Sequence, residues 1–480
     1  MSQALRESRS LYASLWIGIW LLLACSLMWP LEASGQEASD IPQPDRTKKL
    51  SLPKKVTPFK FTKVDLDLLH QVNEFDKYVE EKGWVFTDPA TNQYLTTLGL
   101  SLVPKETPEN VRWQFRAVRD LEGNAFALPN GSIYVTSGLL ARMENEAQLA
   151  GVLAHEITHV VNRHSYRANR SSRKKMVAID FMLAGASFTV YGALGSAVVY
   201  ALVTTLPMIV VETTFGFSRE LEHEADVYAV NALYLRGYDL REFSRGFELL
   251  RNGPEVDLAK ESVFWSSYPK LTERAQYIRE KAEQLQPNTA GLLVNQFPFR
   301  TATNSVVRNT GALALFLGWP RTALASANRL VAEEPNNAEN YVLLGDAYRS
   351  LGARTPLPQG EELTKSAKNE TRQRMSMMTL AEYNRALLAE PHGGERWQAN
   401  FMRAEEAFRK ALAIDPQNAS AHRGLGLLYE SNDAREEAIA ELKKYLELAP
   451  KARDARQVKV HLQSLERPLD EKSKPDESRP

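Results

Sequence analysis

Hydrophobic and polar positions alternate along this chain with periods that change several times. From Leu66 to Lys82 the apolar residues recur at helical spacing. Asp88-Pro89 then opens a second helix whose apolar side runs through Tyr94, Leu98 and Leu102. The period drops to two across Arg112-Trp113-Gln114-Phe115-Arg116-Ala117-Val118, which predicts a strand. Phe126-Ala127-Leu128 and Ile133-Tyr134-Val135 flank Pro129-Asn130-Gly131. That is a hairpin signal, because Asn-Gly tolerates the backbone of a tight turn. A helical period returns from about Glu144 to His164, resumes at Arg219 through Leu235, and continues to about Leu285. This order predicts an α+β domain, mostly helical with a small sheet, over residues 61–285. Residues 286–304 are expected to be a connection.

The last third repeats itself. Pro335-Asn336-Asn337-Ala338 and Pro416-Gln417-Asn418-Ala419 open similar blocks, and Leu344-Gly345-x-x-Tyr348 matches Leu425-Gly426-x-x-Tyr429. Pro416 and Pro450 lie 34 residues apart, the period of a tetratricopeptide repeat. Pro335 and Pro416 are 81 apart, which is one period plus about 47 residues. An all-α repeat domain over 305–464 with an insertion at about 354–400 is therefore expected. A charged tail from 465 to 480 follows.

Two apolar runs break the pattern. Leu15 to Trp29 follows Arg6 and Arg9 and precedes the small residues Ala33-Ser34-Gly35, as in a secretory signal peptide over residues 1–35. Leu22-Leu23-Ala24-Cys25 also fits lipoprotein processing with a lipid anchor on Cys25, and an uncleaved membrane anchor is the third option. All three place the bulk of the chain outside the cytoplasm, joined by a polar linker over 36–60. The second run, Phe181 to Val211, has no formal charge over 31 residues. It is long enough to span a bilayer, but Gly185, Gly192, Gly195 and Pro207 also suit two shorter helices buried or lying on a membrane surface.

Composition narrows the chemistry. A hydrophobic content of 44% supports a packed core, and a net charge of zero removes the field expected of a nucleic-acid binder. The only cysteine is Cys25, so a metal in the mature chain must be held by His, Asp or Glu.

His155-Glu156-Ile157-Thr158-His159 supplies such ligands. Residues four apart share a helix face, so both imidazoles reach one metal ion, and Glu156 stands where a general base would meet a metal-bound water. Catalytic zinc takes three protein ligands. Ser218-Arg219-Glu220-Leu221-Glu222-His223-Glu224-Ala225-Asp226 offers the third, because Glu222 and Asp226 are also four apart. One carboxylate can bind the metal while the other accepts a hydrogen bond from a ligand histidine. His164 lies about 140° around a continued helix from His159 and is assigned a structural role. The strand Ile133, Tyr134, Val135 and Thr136 is a candidate sheet edge for pairing with an extended substrate. Arg219, His223 and Tyr268 are candidate donors to a developing oxyanion.

Asn124-Ala125-Phe126-Ala127-Leu128-Pro129, His155-Glu156-Ile157-Thr158-His159 and Glu222-x-x-Ala225-Asp226, in that order, resemble the HtpX-like and CAAX-prenyl-endopeptidase family of gluzincins, and within it the secreted BepA-type members with C-terminal repeats. The resemblance covers about Leu66 to Leu285. It implies a zincin-type metallopeptidase fold and one Zn2+ per subunit. It also implies His155, His159 and Glu222 as ligands, Glu156 as base and Asp226 as partner of a ligand histidine. Where secreted relatives carry His-Pro after the ligand helix, this chain has Tyr268-Pro269, so histidine-based self-inhibition is not expected. The implied function is a zinc endopeptidase acting on periplasmic or envelope proteins in quality control. The alternative is a repeat-based chaperone or outer-membrane assembly factor with a gated peptidase. Expected partners are protein or peptide substrates and envelope assembly machinery engaged through the repeats, with membrane association and no nucleic acid.

Overall fold

A computed structural model describes residues 60–108, 111–167, 217–251, 268–352 and 395–467. The leader with Cys25, the polar linker, the Phe181 to Val211 run, most of the expected insertion and most of the tail lie outside the described residues. Among the described residues no helix is long and apolar enough to cross a membrane.

The N-terminal part builds a three-stranded sheet between helices. Helix α1 (Lys63–Glu81) starts with a capping box in which Thr62 and Asp65 bond reciprocally. Helix α2 (Pro89–Leu102) starts on an Asp88 cap with proline in its first turn. Strands β1 (Gln114–Val118), β2 (Ala125–Ala127) and β3 (Ser132–Thr136) follow. Their order is β1-β3-β2, with β1 parallel and β2 antiparallel to β3. The expected hairpin forms between β2 and β3. Gly131 closes it at φ 102°, and a Cβ there would sit 2.6 Å from the Arg112 carbonyl oxygen.

Strand β3 alternates between two cores. Ile133 and Val135 pack with α2 and with helix α4 (Glu146–Val161), while Tyr134 packs with Leu68, Val72 and Phe75 of α1. Tyr134 and Ser132 also donate their hydroxyls to Asp76 of α1, both at 2.6 Å. The expectation that Ile133, Tyr134, Val135 and Thr136 form a substrate-binding edge is therefore overturned. The strand is central, paired on both sides and 0–1% exposed at these four residues. The sheet edge on the β2 side is β2 itself.

A short helix α3 (Ser137–Arg142) leads to α4, whose first turn is capped by Asn145. Glu146, at the start of α4, accepts hydrogen bonds from Tyr94, Tyr238 and Asn295, which fastens the helix to three separate segments. Helices α5 (Arg219–Arg236), α6 (Leu240–Arg251) and α7 (Tyr268–Leu285) complete this core. Gly151 lets α4 and α6 touch, because a Cβ there would lie 2.1 Å from Phe243.

Helices α8 (Gln296–Phe316), α9 (Pro320–Glu333), α10 (Ala338–Gly352), α11 (Glu395–Ile414), α12 (Ala419–Glu430), α13 (Arg435–Leu448) and α14 (Ala455–Glu466) pack as successive neighbours. Helices α10 and α11 form one pair although the insertion separates them in sequence. The insertion ends before Glu395, earlier than the spacing suggested. The expected 286–304 connection also proves partly helical, since α8 begins at Gln296. The first pair is joined to the N-terminal part. Arg329 donates to the Leu140 and Met143 carbonyls at 3.1 and 3.2 Å, and Thr91 donates to the Ala302 carbonyl at 2.7 Å.

Candidate metal centre

Helices α4 and α5 pack side by side and bring the two sequence motifs together. His155 Nε2 and His159 Nε2 lie 2.9 Å apart. Glu222 Oε2 is 3.4 Å from His155 Nε2, and Oε1 is 3.9 Å from His159 Nε2. Ligands at zinc-like bond lengths in a tetrahedron lie about 3.4 Å from each other, so this nitrogen-nitrogen-oxygen set has the size and chemistry of a zinc site. Both histidines are buried, at 6% and 3% exposure. Phe217 stacks on the His159 ring at 4.2 Å and donates its backbone N–H to Glu222 Oε1.

Glu156 faces the same space, with a carboxylate oxygen within 4.8 Å of a ring nitrogen of each of His155 and His159. Burial pushes its carboxyl up to about 7, opposed by His155 and by the backbone N–H that Ala127 donates to it. Antiparallel register directs Asn124, Phe126 and Leu128 toward β3, so Ala125 and Ala127 turn their backbone groups outward, alongside Glu156.

Asp226 lies where a partner for the first histidine is needed, with Oδ1 2.9 Å from His155 Nδ1. Burial and Arg274 push the His155 imidazole down, but the hydrogen bonds to Asp226 and Glu222 outweigh them and raise it to about 9. Burial pushes Glu222 up, yet the Arg274 guanidinium and His155 hold it well below the carboxylate range. Burial and the neighbouring His155 hold His159 well below the imidazole range.

The sequence reading did not anticipate Arg274. From α7 it bonds Asp226 through Nε and Nη2 at 2.8 Å each and Glu222 through Nη1 at 2.9 Å, while its guanidinium lies 4.7 Å from the Phe247 ring centre. Its signal was present: Arg274 shares the apolar face of α7 with Ala275, Ile278 and Ala282. A cation on the buried side of an amphipathic helix needs a buried anionic partner. Two of the expected oxyanion donors, Arg219 and His223, are exposed. The side chain of Tyr268 lies outside the described residues.

With this geometry the chain can be set against known proteins. Residues 89–282 match peptidase family M48, and residues 398–462 match a tetratricopeptide repeat family. The chain carries a peptidase family M48 domain followed by tetratricopeptide repeats. This M48 domain contains every residue of the cluster just described. The beta-barrel assembly-enhancing protease of Escherichia coli (strain K12) is 28% identical over 211 residues, covering 42% of this chain and 41% of that protein. The metalloprotease YcaL of the same organism is 32% identical over 161 residues, 33% of this chain and 58% of that protein. Metalloprotease LoiP, also from that strain, is 28% identical over 203 residues, 40% of this chain and 72% of that protein. The chain thus spans about two-fifths of the length of the assembly-enhancing proteases it matches.

Proposed function

We propose that this M48-domain protein is a zinc-dependent endopeptidase that cleaves unfolded or misassembled proteins outside the cytoplasm. The observation that carries the reading is the convergence of His155, His159, Glu222 and Glu156 from two helices on one buried point. His155, His159 and Glu222 would hold the cation, one per subunit, and Asp226 would fix the tautomer of His155. A bound zinc ion supplies Lewis acidity toward the scissile carbonyl and the attacking water.

The remaining steps belong to side chains and backbone of this chain. Glu156 takes a proton from the attacking water and returns it to the departing amine. A carboxyl raised to about 7 is suited to both transfers near neutral pH. The outward backbone groups of Ala125 and the outward carbonyl of Ala127 pair with an extended substrate and lay its scissile bond beside Glu156. Arg274 neutralises Asp226 and Glu222 and keeps both carboxylates aimed at the site. The leader read from the sequence supports an extracytoplasmic, envelope or periplasmic location, and the stacked repeats suit recognition of protein segments.

The test is cleavage of unfolded casein by the purified protein with and without a chelator, beside Glu156→Gln. Cleavage that needs the metal and is lost in Glu156→Gln is the expected result. An unreactive wild type at every zinc loading sinks the peptidase reading. One observation favours a second reading, an assembly factor with a gated peptidase. Arg274 already holds the Glu222 oxygen nearest His155. Cellular function that survives Glu156→Gln would select that reading.

A further inference from the structure

His164 adjoins the metal centre without belonging to the ligand set. Its side chain is 0% exposed, and its Nδ1 lies 2.8 Å from Nδ1 of His159. The two rings meet at 79° with centroids 4.8 Å apart. On its other side, His164 Nε2 is 3.6 Å from Glu224 Oε2, longer than a hydrogen bond but close enough for attraction. Glu224 is held in place by Asn162, which donates at 2.9 Å, and by Arg167 at 3.2 Å. Phe217 lies against both imidazoles and keeps the pair dry.

Two nitrogens of neutral imidazoles can share one proton-bearing contact only if one donates and the other accepts. His159 Nε2 faces His155 and Glu222, so a lone pair is available for a cation there only when the proton sits on Nδ1. That proton then points at His164 Nδ1, which must accept. The His164 proton is left on Nε2, facing the Glu224 carboxylate. Glu224, His164 and His159 form a chain with a single direction.

We propose that His164 is a positioning residue. Its Nδ1 accepts the Nδ1 proton of His159, fixes that ring in the tautomer able to ligate through Nε2, and is itself oriented by Glu224. The proposal rests on the reading of His159 as a metal ligand. It implies that the two ligand histidines are supported differently: His155 by a carboxylate, Asp226, and His159 by a neutral imidazole backed by a more distant carboxylate. An imidazole partner orients His159 without placing a second anion against the site.

The experiment measures zinc affinity of the full chain by chelator competition, using zinc alone as the probe. His164→Leu removes the acceptor and is expected to bind zinc about 10- to 100-fold more weakly, the usual loss when a ligand's hydrogen-bond partner is removed. His164→Asn can place Oδ1 where Nδ1 stood and is expected to stay within roughly threefold of wild type. Nitrogen-15 NMR of the zinc-loaded wild type should show His159 protonated on Nδ1 and His164 protonated on Nε2, a signature that mere packing does not produce. Equal affinity in wild type and His164→Leu, or a His164 protonated on Nδ1, overturns the proposal. If His164→Leu does not fold, a His164→Asn affinity as low as that of unfolded protein, or the wrong tautomer in wild type, does so as well. A wild type that takes up no zinc overturns the metal reading itself, and this proposal with it.

Discussion

Arg274 grips Asp226 with two parallel bonds, Nε to Oδ2 and Nη2 to Oδ1, each 2.8 Å long. The same guanidinium reaches Glu222, so one cation balances two buried carboxylates. Removing it leaves both anions uncompensated, which costs about 3–5 kcal/mol for a buried pair. Arg274→Met is expected to lose stability on that scale in zinc-free buffer, read from the urea midpoint. Saturating zinc should restore part of it, because a bound cation takes over the balancing charge. Arg274→Lys keeps the charge without the fork and should fall between. An unchanged midpoint for Arg274→Met would contradict this account of the site.

At the proposed zinc site, protons would compete with the metal at His155. Its imidazole is raised to about 9, so the stabilisation it gives the metal-free fold is complete below the ordinary value of 6.5 and fades as pH climbs through 9. Ligation needs the neutral ring. Zinc affinity is therefore expected to strengthen by about tenfold per pH unit up to pH 9 and to level off above it. Chelator competition at half-unit steps measures the slope, and a flat profile would rule the competition out.

The free edge of β2 gives a substrate prediction that leaves the fold intact. Ala125 turns its N–H away from β3, so proline fits there without breaking the sheet. Ala125→Pro should fold normally and raise KM for an unfolded protein substrate by up to about tenfold, the loss of one backbone hydrogen bond. Zinc content should not change. Wild-type KM in this variant would mean that substrate does not pair with β2.

Arg163 adopts a left-handed backbone at φ 55° directly after α4 ends. Glycine adopts that geometry without cost, whereas a β-branched residue pays most. Arg163→Gly is expected to unfold within about 1 kcal/mol of wild type, and Arg163→Val to lose about 1–2 kcal/mol. Urea titration of both variants decides it, and equal midpoints would show that this turn carries no strain.

That turn also explains why the approach of His164 to His159 was not legible in the sequence. A helix continued to His164 puts it about 140° from His159 and on another face. The helix instead stops at Val161, and the left-handed turn at Arg163 redirects the chain so that His164 comes to lie against His159. The sequence signal there was a single Asn-Arg step, too common to mark a helix end. The Ile133 to Thr136 strand failed for a different reason. Periodicity identifies a strand but not its neighbours, and the parallel pairing with β1 that helps bury it joins segments separated by β2 and the turn.

Sequence by itself determined the parts that depend on local spacing. Ligand types four residues apart, the Asn-Gly turn, and the 34-residue repeat period follow from helix pitch, turn sterics and helix-pair length. Tertiary structure decided what depends on which surfaces meet. The packing of α4 on α5 closed the candidate metal centre, α7 brought Arg274 to two carboxylates, and the sheet order made β2 an edge. Each of these joins residues from separate elements, where one chain's periodicity carries no information about the distance between its elements.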